Sequence, residues 1–157
     1  GLPSEGTLRL RRAGVHVYDL VQERKVETSS RGGVTQWPVA LGACEGGLFL
    51  ATPKPVEQVR IEAPETAAVG ESVELTVTVA DASGSAVPAV IPLEVEITDP
   101  AGREAEWSGR YGAADGRLVI KADLATNDIP GVWRIRVREG ASGLSAFRHL
   151  EVKAKAP

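Results

Sequence analysis

The sequence has little of several features that define common protein classes. Its 157 residues include one cysteine, no methionine and two histidines, and aromatic residues make up 4% of the chain. A single cysteine allows no internal disulfide, and two histidines leave no credible four-ligand zinc site. A disulfide scaffold and a zinc domain are therefore excluded, and we expect no cofactor.

Long apolar runs and a large excess of one charge are also missing. The longest apolar-rich stretch, 86–93, is broken by Pro88 and Pro92 and is far shorter than the roughly 18 residues that cross a bilayer. The net charge is -3, and a local cluster of three arginines contains no interleaved aromatic residue. That cluster is Arg9, Arg11 and Arg12. We predict neither membrane insertion nor nucleic-acid binding.

Alternation of apolar and polar residues is the strongest signal present. It extends over residues 58–153 and is typical of strands with one face on a core and the other in water. In 72–81, valine or leucine occupies the core positions while Glu74, Thr76 and Thr78 take the other face. Seven runs carry the pattern: VRIEAP, SVELTVTVAD, PLEVEITDP, EAEWSGRY, GRLVIKADL, GVWRIRVRE and LSAFRHLEV.

Turn-forming segments separate these runs at regular intervals. ASGS, DPAG, GAADG, NDIPG and EGASG are rich in residues that tolerate tight or left-handed backbone. About seven short strands in about 100 residues are typical of an immunoglobulin-like or fibronectin-like sandwich. We predict an all-β chain in which 58–157 form a seven-strand sandwich, with Trp133 as a core anchor in phase with Ile135 and Val137.

Residues 1–57 are predicted to be a smaller antiparallel β unit. Its strand candidates are TLRLRRA, VHVYDLV, KVETSS, VTQWPVAL and GLFLATP. In VHVYDLV the residues at odd and at even positions are both largely apolar, which predicts burial of both faces of the strand. A unit of this size has difficulty burying a sufficient core alone, so we expect it to pack on its neighbour or to have lost a preceding segment. The prolines of TPKPVEQ predict a short, stiff link.

Catalytic groups are sparse. Nucleophilic catalysis needs a serine or cysteine near a base, and neither His16 nor His149 lies in a recognised catalytic motif. Cys44 is flanked by glycines in a predicted turn, without the electropositive surroundings that activate a thiol. Paired glutamates such as Glu94 and Glu96 project from a flat strand face, whereas glycoside hydrolysis needs carboxylates across a cleft. We predict that the chain is not an enzyme.

Three aromatic residues are the candidate ligand contacts. Trp107 and Tyr111 share a strand phase in EAEWSGRY, so both rings either fill the core or form a surface strip that stacks on a sugar. Trp37, in VTQWPVA, has the same two alternatives. The low aromatic content favours the core for all three.

Several acidic and amide side chains fall in predicted loops, where oxygen ligands for calcium could converge. They are Asp81, Asp99, Asp115, Asn127 and Asp128. No EF-hand spacing occurs, and such residues in turns usually accept hydrogen bonds from their own backbone. The turn interpretation is favoured over calcium binding.

The larger unit resembles the macroglobulin-like and related immunoglobulin-like modules of bacterial extracellular proteins. The residues that carry the resemblance are Gly70-Glu71 after the first strand, the turn Asp99-Pro100 with Gly102, and Asn127-Asp128 before Pro130-Gly131-Val132-Trp133. The thioester motif of macroglobulins is absent, so protease trapping is not implied. The resemblance implies an extracellular, periplasmic or cell-surface location.

The first unit resembles the closing half of the β-sandwich that follows the catalytic barrel in glycoside hydrolases. The corresponding residues are Val17-Tyr18-Asp19-Leu20, Arg24-Lys25, Arg31-Gly32-Gly33 and Gly46-Gly47-Leu48-Phe49-Leu50. From the strand pattern and the lack of a catalytic constellation we predict a non-catalytic accessory, spacer or interaction module that contacts neighbouring domains of a larger secreted or cell-surface protein. The second resemblance implies that this protein is a carbohydrate-active enzyme or another surface protein. The alternatives are a carbohydrate-binding module and a protein-binding or dimerising module.

Overall fold

The computed structural model describes residues 2–155, and within that range the chain is all-β, with fourteen strands and no helix. The predicted fold class is therefore confirmed. No helix of the described residues could span a membrane.

The first six strands form two three-stranded sheets, β1-β5-β4 and β3-β2-β6. Their small core contains Val15, Val17 and Trp37, all buried. All neighbouring strands in both sheets are antiparallel. The strands are β1 (Ser4–Leu10), β2 (His16–Asp19), β3 (Arg24–Val26), β4 (Ser29–Arg31), β5 (Val34–Leu41) and β6 (Phe49–Thr52).

The remaining eight strands form an immunoglobulin-like sandwich, with a five-stranded sheet β11-β10-β13-β14-β8 and a three-stranded sheet β12-β9-β7. The apolar positions of the alternating strands meet between the sheets and are buried. The strands are β7 (Gln58–Glu62), β8 (Thr66–Ala68), β9 (Ser72–Ala80), β10 (Ile91–Thr98), β11 (Gly109–Ala113), β12 (Arg117–Asp123), β13 (Gly131–Glu139) and β14 (Ser145–Lys153).

Two details of the sandwich differ from the sequence prediction. β8 was not among the seven runs, because three residues are too few to show an alternation; it pairs parallel with β14. The run EAEWSGRY is a strand only from Gly109, so Trp107 lies in the preceding turn and does not share a strand with Tyr111. The Ser108 hydroxyl donates a hydrogen bond to the carbonyl of Ile97, and the Ser108 hydroxyl oxygen accepts one from the N–H of Ile97. These two bonds anchor the end of the turn.

Candidate functional site

The two pairs of sheets meet at strand β2. Because successive side chains of a strand point to opposite faces, Val17 enters the small core while Tyr18 enters the core of the sandwich. Both are 0% exposed. The burial of both faces expected from VHVYDLV is thus observed, and it makes β2 a shared element of the two cores.

The Tyr18 hydroxyl also holds the link between the units. Its oxygen accepts a hydrogen bond from the N–H of Val56 at 2.7 Å, and Val56 is itself buried. The next residue, Glu57, donates its N–H to the carbonyl of Ala80 in β9 at 3.0 Å. These contacts fix the chain between β6 and β7 to both units.

Burial raises the pKa of Tyr18 above its ordinary value of 10.0, and the nearby charges of Glu139 and Glu57 raise this pKa further. The hydrogen bond from Val56 opposes the shift but does not cancel it. The phenol is therefore neutral at physiological pH, as a buried hydroxyl must be.

We call the boundary between the two units, with Tyr18 on one side, the joint. Glu139 lies on its sandwich side. Its carboxylate is 0% exposed and accepts hydrogen bonds from the N–H groups of Ala141 at 2.7 Å, Ser142 at 2.8 Å and Leu144 at 2.9 Å. The hydroxyl of Ser142 donates to it as well. One carboxylate thus satisfies the backbone of the β13–β14 turn, which faces the first unit.

An ion pair closes the joint at its surface, between Arg138 on β13 and Glu23 beside β3. A Cβ placed on Gly143 would meet the carbonyl oxygen of Glu23 at 3.4 Å, so the turn and the first unit are in close contact. Leu20 and Leu48 face Pro92 and Tyr111 across a cleft of about 350 Å³ at the same boundary.

A second cleft, of about 390 Å³, lies at the opposite end of the sandwich, where β10 ends. Trp107 and Trp133 both line it, with ring centroids 6.2 Å apart and planes tilted by 37°. Trp133 is buried and its indole N–H donates to the carbonyl of Ile129 at 3.0 Å, whereas Trp107 is half-buried. Trp107 is therefore the tryptophan that an incoming molecule can reach.

The walls of this cleft are acidic. The carboxylates that line it are Asp99, Glu104, Glu106, Asp123 and Asp128, with Arg103 as the opposing charge. Burial raises the pKa of Asp99, but the N–H and guanidinium of Arg103 and the N–H of Ala101 outweigh it and hold the pKa below the ordinary value. Arg103 neutralises Asp99, with 2.7 Å between Nη2 and Oδ2, and the other acids keep the cleft negative.

The structure brings together only three of the five loop residues considered as calcium ligands. Asp99, Asn127 and Asp128 line the cleft, but Asp81 belongs to the opposite end, where it pairs with Lys54 at 2.9 Å. Asp99 and Asp81 accept hydrogen bonds from backbone N–H groups of their own turns. Within residues 2–155 no three histidine, cysteine or acidic side chains are arranged to hold a metal ion.

The three aromatic candidates do not share one surface. Trp107 faces the acidic cleft, Tyr111 lies at the boundary cleft, and Trp37 is 7% exposed with its ring 5.7 Å from Phe49. The Tyr111 hydroxyl donates to the carbonyl of Trp107 at 2.7 Å, and both side chains pack on the sandwich core. They form no exposed aromatic strip.

The remaining candidates are scattered. His16 is half-buried on β2, and burial together with the charge of Lys25 lowers its pKa, against a smaller opposing effect of Glu57. His149 is exposed on β14, and Cys44 is exposed in a turn at φ 62°. Each of the three lies on a different element.

Sequence reasoning predicted the burial of β2 but missed Glu139 and the contact of Tyr18 with Val56, which form the joint. Glu139 is in phase with Trp133, Ile135 and Val137, so the alternation of β13 predicts that its side chain points inward. A glutamate at an inward position next to a glycine-rich turn is the signal of a buried acceptor. The contact of Tyr18 with Val56 had no such signal, because 38 residues separate the two in sequence.

No protein-family model and no curated protein matches the sequence. Among solved structures, the adhesin InvE of Yersinia pseudotuberculosis is 11% identical with a TM-score of 0.49, over 97% of this chain and 49% of that one. A putative membrane-anchored protein of Corynebacterium diphtheriae is 16% identical with a TM-score of 0.48, over 97% and 32%.

A PKD domain of an M14-like peptidase from a Thermoplasmatales archaeon is 16% identical with a TM-score of 0.38, over 62% of this chain and 93% of that one. At these identities and TM-scores, none of the three similarities indicates a function. The strand order observed here establishes the fold, which is an all-β chain with an immunoglobulin-like β-sandwich module.

Proposed function

We propose that the chain is a non-catalytic accessory module that acts as a rigid connector within a larger secreted or cell-surface protein. The observation that carries the proposal is the insertion of Tyr18 from the first unit into the sandwich core, with its hydroxyl bonded to the link at Val56. A connector of this kind sets the distance and angle between its two ends.

Bending at the joint would expose buried groups. Withdrawal of Tyr18 would return a large aromatic side chain to water and leave the N–H of Val56 without its acceptor. It would also separate Arg138 from Glu23. Relative domain motion is the usual expectation when an interface is small and polar, whereas an aromatic side chain shared between two cores opposes it.

The buried acidic groups support a structural role. Among residues 2–155 the two buried carboxylates are Glu139 and Asp99, and both accept hydrogen bonds from backbone N–H groups of turns. A general acid or base needs a carboxylate that is open to a substrate. The proposed location outside the cytoplasm derives from the resemblance to bacterial extracellular modules.

The experiment for this proposal is a comparison of the orientations of the two units in solution by residual dipolar couplings. A connector must give one alignment tensor for the strands of both units. Two different tensors would mean that the units move independently, and the connector proposal would then be abandoned.

We propose carbohydrate binding in the acidic cleft as a second function. The observation that favours it is the half-buried Trp107 ring beside Glu104 and Glu106, in a cleft of about 390 Å³. An aromatic ring can stack on the apolar face of a sugar while carboxylates accept its hydroxyl hydrogens.

Replacement of Trp107 by alanine tests this second function. We expect a neutral oligosaccharide that binds the intact chain on a glycan array to lose at least about tenfold in affinity, because the ring supplies the stacking surface. Trp37→Phe is the matched control, since Trp37 lies in the other core. Absence of glycan binding by the intact chain, or equal binding by the Trp107 variant, would reject the cleft as a sugar site.

A further inference from the structure

Strand β1 leaves one edge of a sheet open. It is the outer strand in the order β1-β5-β4, and six of its seven residues are exposed. An edge strand of this length presents a row of N–H and C=O groups that can pair with another strand.

Pro38 determines which backbone groups of β1 point outward. It lies opposite Thr7, and because proline has no N–H this pair cannot exchange two hydrogen bonds. Thr7 and Pro38 are therefore a non-hydrogen-bonded pair, and the N–H and C=O of Thr7 point away from β5. Since the direction alternates along a strand, Glu5 and Arg9 also direct their N–H and C=O outward.

We propose that this edge is a homodimer interface, in which β1 pairs antiparallel with β1 of a second copy about a two-fold axis at Thr7. In this register Glu5 of each copy lies opposite Arg9 of the other. Both are exposed, and neither takes part in an ion pair within residues 2–155. Opposite charges in directly facing positions stabilise an antiparallel pair.

The charges also select this register. A two-fold axis at Glu5 would place two glutamates opposite each other, and an axis at Arg9 would place two arginines opposite each other. Like charges in facing positions are destabilising. The self-complementary order Glu5, Thr7, Arg9 is the reason for assigning a second copy of this chain, rather than an unrelated strand, to the edge.

The other face of β1 fits the same arrangement. Leu8 is 39% exposed, and in this register it lies opposite Gly6 of the other copy. A Cβ at Gly6 would meet nothing within 4 Å, so the space beside Gly6 is open. Each Leu8 can therefore cover the backbone of the facing glycine, which removes apolar surface from water at two symmetric points.

The test is sedimentation equilibrium of the full chain from about 10 µM to about 1 mM, a range suited to weak association. The average mass is expected to rise toward twice the monomer value. Glu5→Arg and Arg9→Glu should each weaken self-association about tenfold, because each turns two attractive pairs into repulsive ones. An equimolar mixture of the two variants should associate again, since one strand then carries only positive and the other only negative charge.

Both positions are exposed, so far-UV circular dichroism should show that the variants keep the fold. The double variant Glu5→Arg, Arg9→Glu is the matched control and should dimerise like the original chain. A monomeric original chain over the whole range would overturn the proposal. So would a dimer that the single variants leave unchanged, because its interface would then lie elsewhere.

Discussion

Tyr18→Ala is expected to lower the free energy of unfolding by about 3–5 kcal/mol, the range for removal of a buried aromatic side chain. The ring is 0% exposed and belongs to the sandwich core although β2 belongs to the first unit. The loss therefore opens a cavity at the joint between the units. Urea denaturation followed by circular dichroism measures the change.

Tyr18→Phe separates the contribution of the hydroxyl from that of the ring. It keeps the ring but removes the acceptor of the Val56 N–H, at an expected cost of about 1–3 kcal/mol. Phe147→Ala is the control for loss of an aromatic side chain at a site 70% exposed, and it should cost less than about 1 kcal/mol. If Tyr18→Ala costs no more than Phe147→Ala, Tyr18 does not join the two cores.

Glu139→Ala has the second largest expected effect, a loss of about 3 kcal/mol or more in the free energy of unfolding. The substitution leaves the N–H groups of Ala141, Ser142 and Leu144 without the acceptor they share. Each unsatisfied buried donor costs about 1–3 kcal/mol, and partial access of water to the turn limits the sum. Thermal or urea unfolding of the variant measures it.

Glu139→Gln should lower the free energy of unfolding less than Glu139→Ala does, because the amide oxygen still accepts a hydrogen bond. The substitution still has a cost, because the amide nitrogen cannot accept from the N–H group that it faces. Glu96→Ala is the matched surface control. Glu96 pairs with Arg136 at 3.5 Å with both side chains about half exposed, and loss of such a pair costs about 0–1 kcal/mol. Equal effects of Glu139→Ala and Glu96→Ala would show that the carboxylate does not organise the turn.

The fold could be predicted from the sequence to the extent that alternation records burial. β10 and β13 bury every second position in the predicted phase. β9 follows the phase except at Thr76 and Ala80, and the burial of Thr76 shows that the prediction of this residue on the water face was wrong. The prediction for EAEWSGRY was wrong at its start, because the turn that holds Trp107 outside β11 depends on a tertiary contact. The Ser108 hydroxyl that anchors this turn bonds to Ile97, which lies on another strand.

The joint was predictable only in outline. Apolar residues at odd and at even positions of VHVYDLV indicated two buried faces. Which core each side chain enters depends on the path of the chain between β6 and β7. That path is fixed by contacts distant in sequence, namely Tyr18 with Val56 and Lys54 with Asp81. Strand phase alone does not determine charge pairing, because Arg136 and Arg138 share a face of β13, yet Arg136 pairs with Glu96 whereas Arg138 pairs with Glu23 of the first unit.

We propose that Tyr18 makes the two units one rigid body, and residual dipolar couplings of backbone amides report on this rigidity. They should be measured on the Glu5→Arg variant, which is expected to self-associate about tenfold more weakly than the original chain, with and without Tyr18→Ala. One alignment tensor should fit the strands of both units when Tyr18 is present, and two tensors should be needed when it is replaced by alanine. If two tensors are needed in the presence of Tyr18, the side chain does not hold the two units together.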